Sequence, residues 1–171
     1  MPNATTLIKR DHKKVEDLFA RFEHSTKAEA KKRVAEQACA ELEIHAQLEE
    51  EIFYPAVRKG LGEEDTLEEA VEEHQQAKKI IGELKKMSIG DSALDGKFAE
   101  LVECIQHHVR EEEGELLPKV EESDMDLVDI GEQMVECREE LTQQMKKTRS
   151  QGKSARKPKS TSRRRKSGRA A

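Results

Sequence analysis

Six side chains carry the chemistry this sequence can offer: His12, His45, Glu49, His74, His108 and Glu112. Each falls within an apolar stripe where a neutral residue would be expected. Ile8, Val15, Phe19 and Phe22 recur at helical spacing around His12, and Ala38, Leu42 and Ile52 around His45 and Glu49. Val71 and Ile81 flank His74, while Leu101, Ile105 and Leu116 flank His108 and Glu112. Residues four apart share a helix face, so each His-x3-Glu pair presents an imidazole and a carboxylate to one point. Burying such groups is costly unless they are paired, hydrogen-bonded or metal-bound. A single histidine on an apolar stripe is ordinarily a hydrogen-bonded core residue, and a single His-x3-Glu pair is commonplace. Four inward histidines with two inward glutamates go beyond coincidence, and metal coordination satisfies all six at once.

The layout is also duplicated. His45-Ala-Gln-Leu-Glu-Glu-Glu-Ile-Phe-Tyr-Pro55 aligns with His108-Val-Arg-Glu-Glu-Glu-Gly-Glu-Leu-Leu-Pro118 in its His, the Glu four later, the next Glu and the Pro ten later. His12 precedes His45 by 33 residues and His74 precedes His108 by 34. Imidazole and carboxylate donors without thiolate suit iron, manganese or zinc. Six are too many for one catalytic zinc with an open position. They suit two octahedral metals sharing carboxylate bridges, with iron the first choice. His107 lies one residue off the stripe and reads as an outer residue. His24 reads as a surface residue, and Cys104 as a small buried hydrophobe.

The elements that must position these groups are helices. Charged residues make up 39% of the 171 and aromatics 3%, with no Trp, a mixture that favours helix over strand. Only four prolines interrupt the chain. Four amphipathic segments predict an all-α, antiparallel up-down-up-down four-helix bundle over 1–122. Thr26 with Glu29, and Thr66 with Glu69, fit capping boxes at two helix starts. Pro55 and Pro118 read as the ends of the second and fourth segments, and Gly60, Gly62 and Gly90 as connections. A fifth helix is expected over 123–147, extending the bundle. From 148 to 171 periodicity is lost, and a disordered Lys/Arg-rich tail is expected.

At these residues the chain resembles the hemerythrin-like, or HHE cation-binding, family over roughly 5–120. The resemblance rests on Arg-Asp-His12, His45-x3-Glu49 with Phe-Tyr-Pro, Glu-Glu-His74, and His108-x3-Glu112 with Leu-Leu-Pro. It implies a four-helix bundle around a non-haem di-iron centre of two iron ions. By that resemblance Glu49 and Glu112 bridge, His12 and His45 serve one iron, and His74 and His108 the other. Oxygen-carrying members have a further His four residues beyond the one matching His74, where this chain has Lys78. That departure points away from reversible oxygen carriage. It points toward sensing of, or reaction with, oxygen, peroxide or nitric oxide, in an oxidative-stress setting. A peroxide-decomposing enzyme is the catalytic version of this reading.

Charge is divided along the chain. From Lys146 onward there are 12 Lys or Arg and no acidic residue, so positions 1–145 hold 19 basic against 36 acidic residues, a net of −17. The tail resembles linker-histone extensions, whose cations contact phosphate without reading sequence. A nucleic-acid-associated bundle with a structural metal is therefore the alternative function. Three widely spaced cysteines without a CxxC pair argue against a disulfide framework and a zinc finger. No apolar run approaches a membrane span, so no membrane partner and a cytoplasmic location are expected.

Overall fold

The computed structural model describes the backbone of residues 3–154 and the side chains of residues 3–148. Every regular element among them is helical. The first helix, Ala4–His24, is capped by Asn3, whose side chain accepts from Thr6 N at 2.9 Å. The second runs over 28–61 as Ala28–Leu48, a π turn Glu49–Phe53, and Tyr54–Leu61. The third is Glu64–Lys86. The fourth runs over 94–121 as Leu94–Glu111, a π turn Glu112–Leu116, and Leu117–Glu121. These four form the antiparallel bundle. The fifth helix, Leu127–Ser154, packs against the first two and continues past the expected boundary at 147. The expected tail lies, from 155 on, outside the described residues. No described helix is long and apolar enough to cross a membrane.

Several local expectations are corrected. Neither capping box forms: Lys27 and Glu63 occupy the cap positions without a side-chain cap bond, and Thr66 lies inside the third helix. Asp126 instead caps the fifth helix, its Oδ1 accepting from Asp129 N at 3.0 Å. Pro55 and Pro118 do not end their helices. A proline in a regular α-helix removes one N–H and presses its ring on the carbonyl four residues back. Here each proline follows a π turn whose wider hydrogen bond, Tyr54 N to Glu49 O or Leu117 N to Glu112 O, absorbs that misfit. The extra residue shifts the phase of the second helix, so Phe53 and Tyr54 are fully buried while Ile52 packs half-buried against the same cluster. Gly60 lies in the last turn of the second helix rather than in a connection. A Cβ there would come within 2.8 Å of Met125 Sδ. Gly62, at φ 69°, terminates that helix in the left-handed conformation.

The core is split. One apolar cluster gathers Val15, Phe19, Phe22, Leu42, Ile81, Phe98 and Leu101, and the other Leu7, Ile8, Leu48, Phe53, Leu67, Leu116, Leu117 and Met134. Between them in sequence on each of the four helices stands a His or a His and Glu. Phe98 anchors the first cluster, stacked on Phe22 with centroids 3.9 Å apart and edge-on to Phe19 at 5.6 Å. Phe98→Ala should cost about 3–5 kcal/mol of unfolding free energy. Urea denaturation of metal-free protein measures it, and a loss under about 1 kcal/mol would contradict this packing.

Candidate metal centre

The polar layer brings His12, His45, Glu49, His74, His108 and Glu112 together, all six buried. The heptad-like stripes deliver one imidazole from each bundle helix, and the two π turns begin at the two inward carboxylates. His12 Nε2 lies 3.2 Å from Glu112 Oε2. Glu49 reaches both ways, with Oε1 3.2 Å from His45 Nε2 and Oε2 3.2 Å from His74 Nε2. His108 Nε2 sits 3.8 Å from Glu112 Oε2 and 3.9 Å from Glu49 Oε2. All four Nε2 atoms therefore point at the carboxylates, and each carboxylate touches histidines of both halves. Ligand atoms of His12, His45, Glu49, His108 and Glu112 come within 4.8 Å of one another, a spacing one cation can span.

The outer nitrogens face a second set of carboxylates. His12 Nδ1 is 2.7 Å from Glu113 Oε1, His74 Nδ1 3.0 Å from Glu50 Oε1, and His108 Nδ1 2.9 Å from Glu73 Oε2. An ionised carboxylate only accepts, so each Nδ1–H donates and a neutral ring turns its Nε2 lone pair inward. His45 Nδ1 has Asp11 Oδ2 at 3.6 Å, too far for a hydrogen bond. Asp11 is held from the other side by Arg138 of the fifth helix. The partners close a ring: the first helix braces the second, the second the third, the third the fourth, and the fourth the first.

Tyr54, the chain's single tyrosine, is the functional candidate that reading the sequence missed. Its hydroxyl donates toward Glu49 Oε2 at 3.2 Å and Glu112 Oε1 at 3.3 Å. Burial and these two carboxylates push its phenol well above the usual range, so it remains a donor. Its place in the first Phe-Tyr-Pro, where the second repeat has Leu-Leu-Pro, was the available signal. Lys78 takes no part in the cluster. Its Nζ donates to both oxygens of Glu50, at 2.7 and 2.6 Å. His107 and His24 are exposed, and Cys104 stands outside the cluster.

Electrostatics separates the two carboxylates. Burial and the Glu112 charge push Glu49 well above the ordinary carboxylate range. Burial opposes ionisation of Glu112 too, but His12 beside it and the other inward histidines hold it down at about 2. Burial likewise works against the His12 cation, yet the carboxylate of Glu112 beside it raises it to about 9. His45 is pushed down to about 4 by burial. Without metal, one carboxylate thus pairs with one imidazolium, and a metal must displace that proton.

A metal fits these residues. Five buried atoms lack hydrogen-bond partners, His12 Nε2, His45 Nδ1 and Nε2, Glu49 Oε1 and Glu112 Oε2, and four of the five point into the cluster. Buried polar atoms are rarely left so. His74 Nε2 and His108 Nε2 lie 3.2 Å apart, close enough to share one proton or to meet on one cation. On one side, His12, His45, His74 and His108 border a cavity of about 20 Å³. Val15, Leu42, Ala77, Ile81 and Ile105 also line it, as do Glu43 and Lys78, and it has room for a water-sized molecule.

Comparison with known proteins gives the same picture. The model of the hemerythrin HHE cation-binding domain matches residues 3–120. A DNA nickase of Nostoc sp. is 30% identical over 118 residues, which is 69% of this chain and 33% of that protein. An uncharacterized hemerythrin-like protein of Schizosaccharomyces pombe is 29% identical over 123 residues, 71% of this chain and 61% of that protein. This chain thus spans less than two thirds of the length of these relatives. A crystal structure of a hemerythrin HHE cation-binding domain-containing protein from Mycobacterium kansasii shares the fold. Its TM-score is 0.76 at 22% identity, over 91% of this chain and 97% of that one.

The carboxylate behind each imidazole sets ring orientation and basicity, so its loss should weaken metal binding without unfolding the bundle. Glu113 is partly exposed, and Glu113→Ala should lower cobalt affinity roughly 10–100-fold. Competition against a chromogenic chelator measures it; unchanged affinity would remove Glu113 from this role.

Proposed function

Since this chain belongs to the hemerythrin HHE cation-binding domain family, we propose that it is a non-haem di-iron protein. In this reading it senses or reacts with oxygen, peroxide or nitric oxide rather than carrying oxygen reversibly. The observation that carries the reading is the pairing of orphaned buried donors with two carboxylates that each touch both histidine pairs. His12 with His45, and His74 with His108, would hold one iron each, and Glu49 and Glu112 would be shared. A di-iron centre, when bound, supplies one-electron redox chemistry toward small oxygen and nitrogen ligands.

The chain's own groups account for the rest. Four imidazoles and two shared carboxylates leave coordination positions open on octahedral metals. The small cavity beside the imidazoles has room for a small ligand. Tyr54 steadies both carboxylates and keeps a proton beside them. Lys78, bound to Glu50 as an ammonium, has no lone pair for a metal, which supports reactivity or sensing over reversible carriage. Whether the reaction turns over is the difference between a sensor and a peroxide-decomposing enzyme.

Metal analysis of protein produced with ample iron should return about two iron ions per chain, with a visible spectrum that changes on adding peroxide and azide. Less than about half an equivalent of any transition metal would overturn the assignment. Sustained peroxide consumption would place the protein among enzymes.

A second reading concerns nucleic acid, and the charge division supports it. Eight Lys or Arg and no acidic residue follow Ser154, and the Nostoc relative is described as a DNA nickase. In this reading the tail binds duplex phosphate without sequence preference, each neutralised phosphate adding roughly 0.9 to the logarithmic salt slope. The full chain should shift duplex DNA at low salt, and a chain ending at Ser154, which keeps the fifth helix, should do so far more weakly. If the full chain shifts no DNA at low salt, this reading falls.

A further inference from the structure

A second group of metal-capable side chains lies outside the buried cluster, on the facing surfaces of the third and fourth helices. Glu73, His107 and Glu111 each place a ligand atom within 4.8 Å of the others. His107 Nδ1 is 2.6 Å from Glu73 Oε1, and its Nε2 is 3.4 Å from Glu111 Oε1. The second oxygen of Glu73 holds His108 Nδ1 at 2.9 Å, so one carboxylate joins the outer group to the inner one.

Beside this group a cleft of about 80 Å³ opens between the same two helices. Glu69, Glu73, Glu111 and Glu115 line it toward the surface, His108 and Glu112 line it at depth, and no Lys or Arg is among its walls. Glu112 is buried, and its Oε2 faces His12 and His108 of the inner cluster, so the cleft ends at that cluster. Glu69 with Glu73, and Glu111 with Glu115, are like charges one helical turn apart, an arrangement that disfavours a helix. A cleft walled by one sign of charge concentrates the opposite ion. A second cavity that reaches the imidazoles is largely aliphatic and is bordered by one acidic and one basic residue, Glu43 and Lys78, so it lacks the acidic excess of this cleft.

We propose that Glu73 and Glu111, in the wall of this acidic cleft, and His107 beside it form an outer divalent-cation site through which metal enters the buried cluster. The inference rests on the metal-binding reading above. One imidazole and two carboxylates suit first-row divalent ions. Three protein ligands on a half-exposed surface, with His107 side chain 52% exposed, bind weakly and exchange quickly, which suits capture rather than storage. Glu73 then lies between the captured ion and His108.

The test mixes metal-free, full-length protein with Co²⁺ and follows the visible absorption of the bound ion. His107→Ala combined with Glu111→Gln leaves all six buried residues and the Glu73–His108 bond intact. The pair should slow loading about tenfold at low salt, a gap that closes as salt rises, while the final tightly bound cobalt stays at the wild-type amount. Equilibrium titration should show a weak additional cobalt in the wild type that the double variant lacks. Glu69→Gln with Glu115→Gln, outside the outer triad, should slow loading while keeping the weak cobalt. Circular dichroism and unchanged final stoichiometry show that the variants fold. Equal loading rates and identical titrations in wild type and double variant overturn the entry site and leave the buried metal reading standing. A wild type that takes up no cobalt overturns both.

Discussion

Four imidazoles and two carboxylates stand in one layer between two apolar clusters, and the rest of the bundle is arranged around the cost of that layer. Six such groups cannot be desolvated without compensation. Part of it comes from the outer carboxylates, which sit partly in water. The Glu50, Glu73 and Glu113 side chains are 24%, 16% and 38% exposed, so water reaches them as it does not reach Glu49 or Glu112. The His74 bond, joined by Lys78, holds Glu50 below the usual carboxylate range. For Glu73, burial pushes upward but the bonds from His108 and His107 outweigh it. Each carboxylate belongs to a different helix from the histidine it faces. The layer therefore ties the four helices into a ring in addition to their apolar packing.

The π turns serve the same layer. Each begins at an inward glutamate and is followed within six residues by a proline. One extra residue per turn rotates the remainder of the helix, placing Tyr54 against both carboxylates in one repeat and Leu117 in the apolar cluster in the other. The duplication is thus symmetrical in its inward His and Glu and asymmetrical just beyond them. Tyr54 gives the cluster a hydroxyl on one side, and the opposite side is closed by aliphatic residues around the small cavity.

Charged contacts link the layer to the periphery at three points. Arg138 carries the fifth helix onto Asp11, which faces His45. Lys78 grips Glu50, which orients His74. Glu73 joins exposed His107 to buried His108. The fifth helix lies beyond the residues matched by the family model, yet Arg138, with Ile130 and Met134 in the apolar cluster, makes it part of the bundle.

Helical periodicity by itself determined the bundle and the inward direction of His12, His45, Glu49, His74, His108 and Glu112, because residues three and four apart must share a face whatever the partner helix does. It could not determine what depends on a change of phase or on contact between helices. An unbroken α period leaves Phe53 and Tyr54 off the inward stripe and makes Pro55 a terminator, and a single π residue overturns both. The capping boxes at Thr26 and Thr66 failed for a related reason: a local motif competes with tertiary packing, which set the helix starts at Ala28 and Glu64. Asp11, Glu50, Glu73 and Glu113 were visible as acidic neighbours of the ligands. Only the tertiary structure decided which histidine each one faces, since every such pair joins two helices at a distance that sequence separation does not encode.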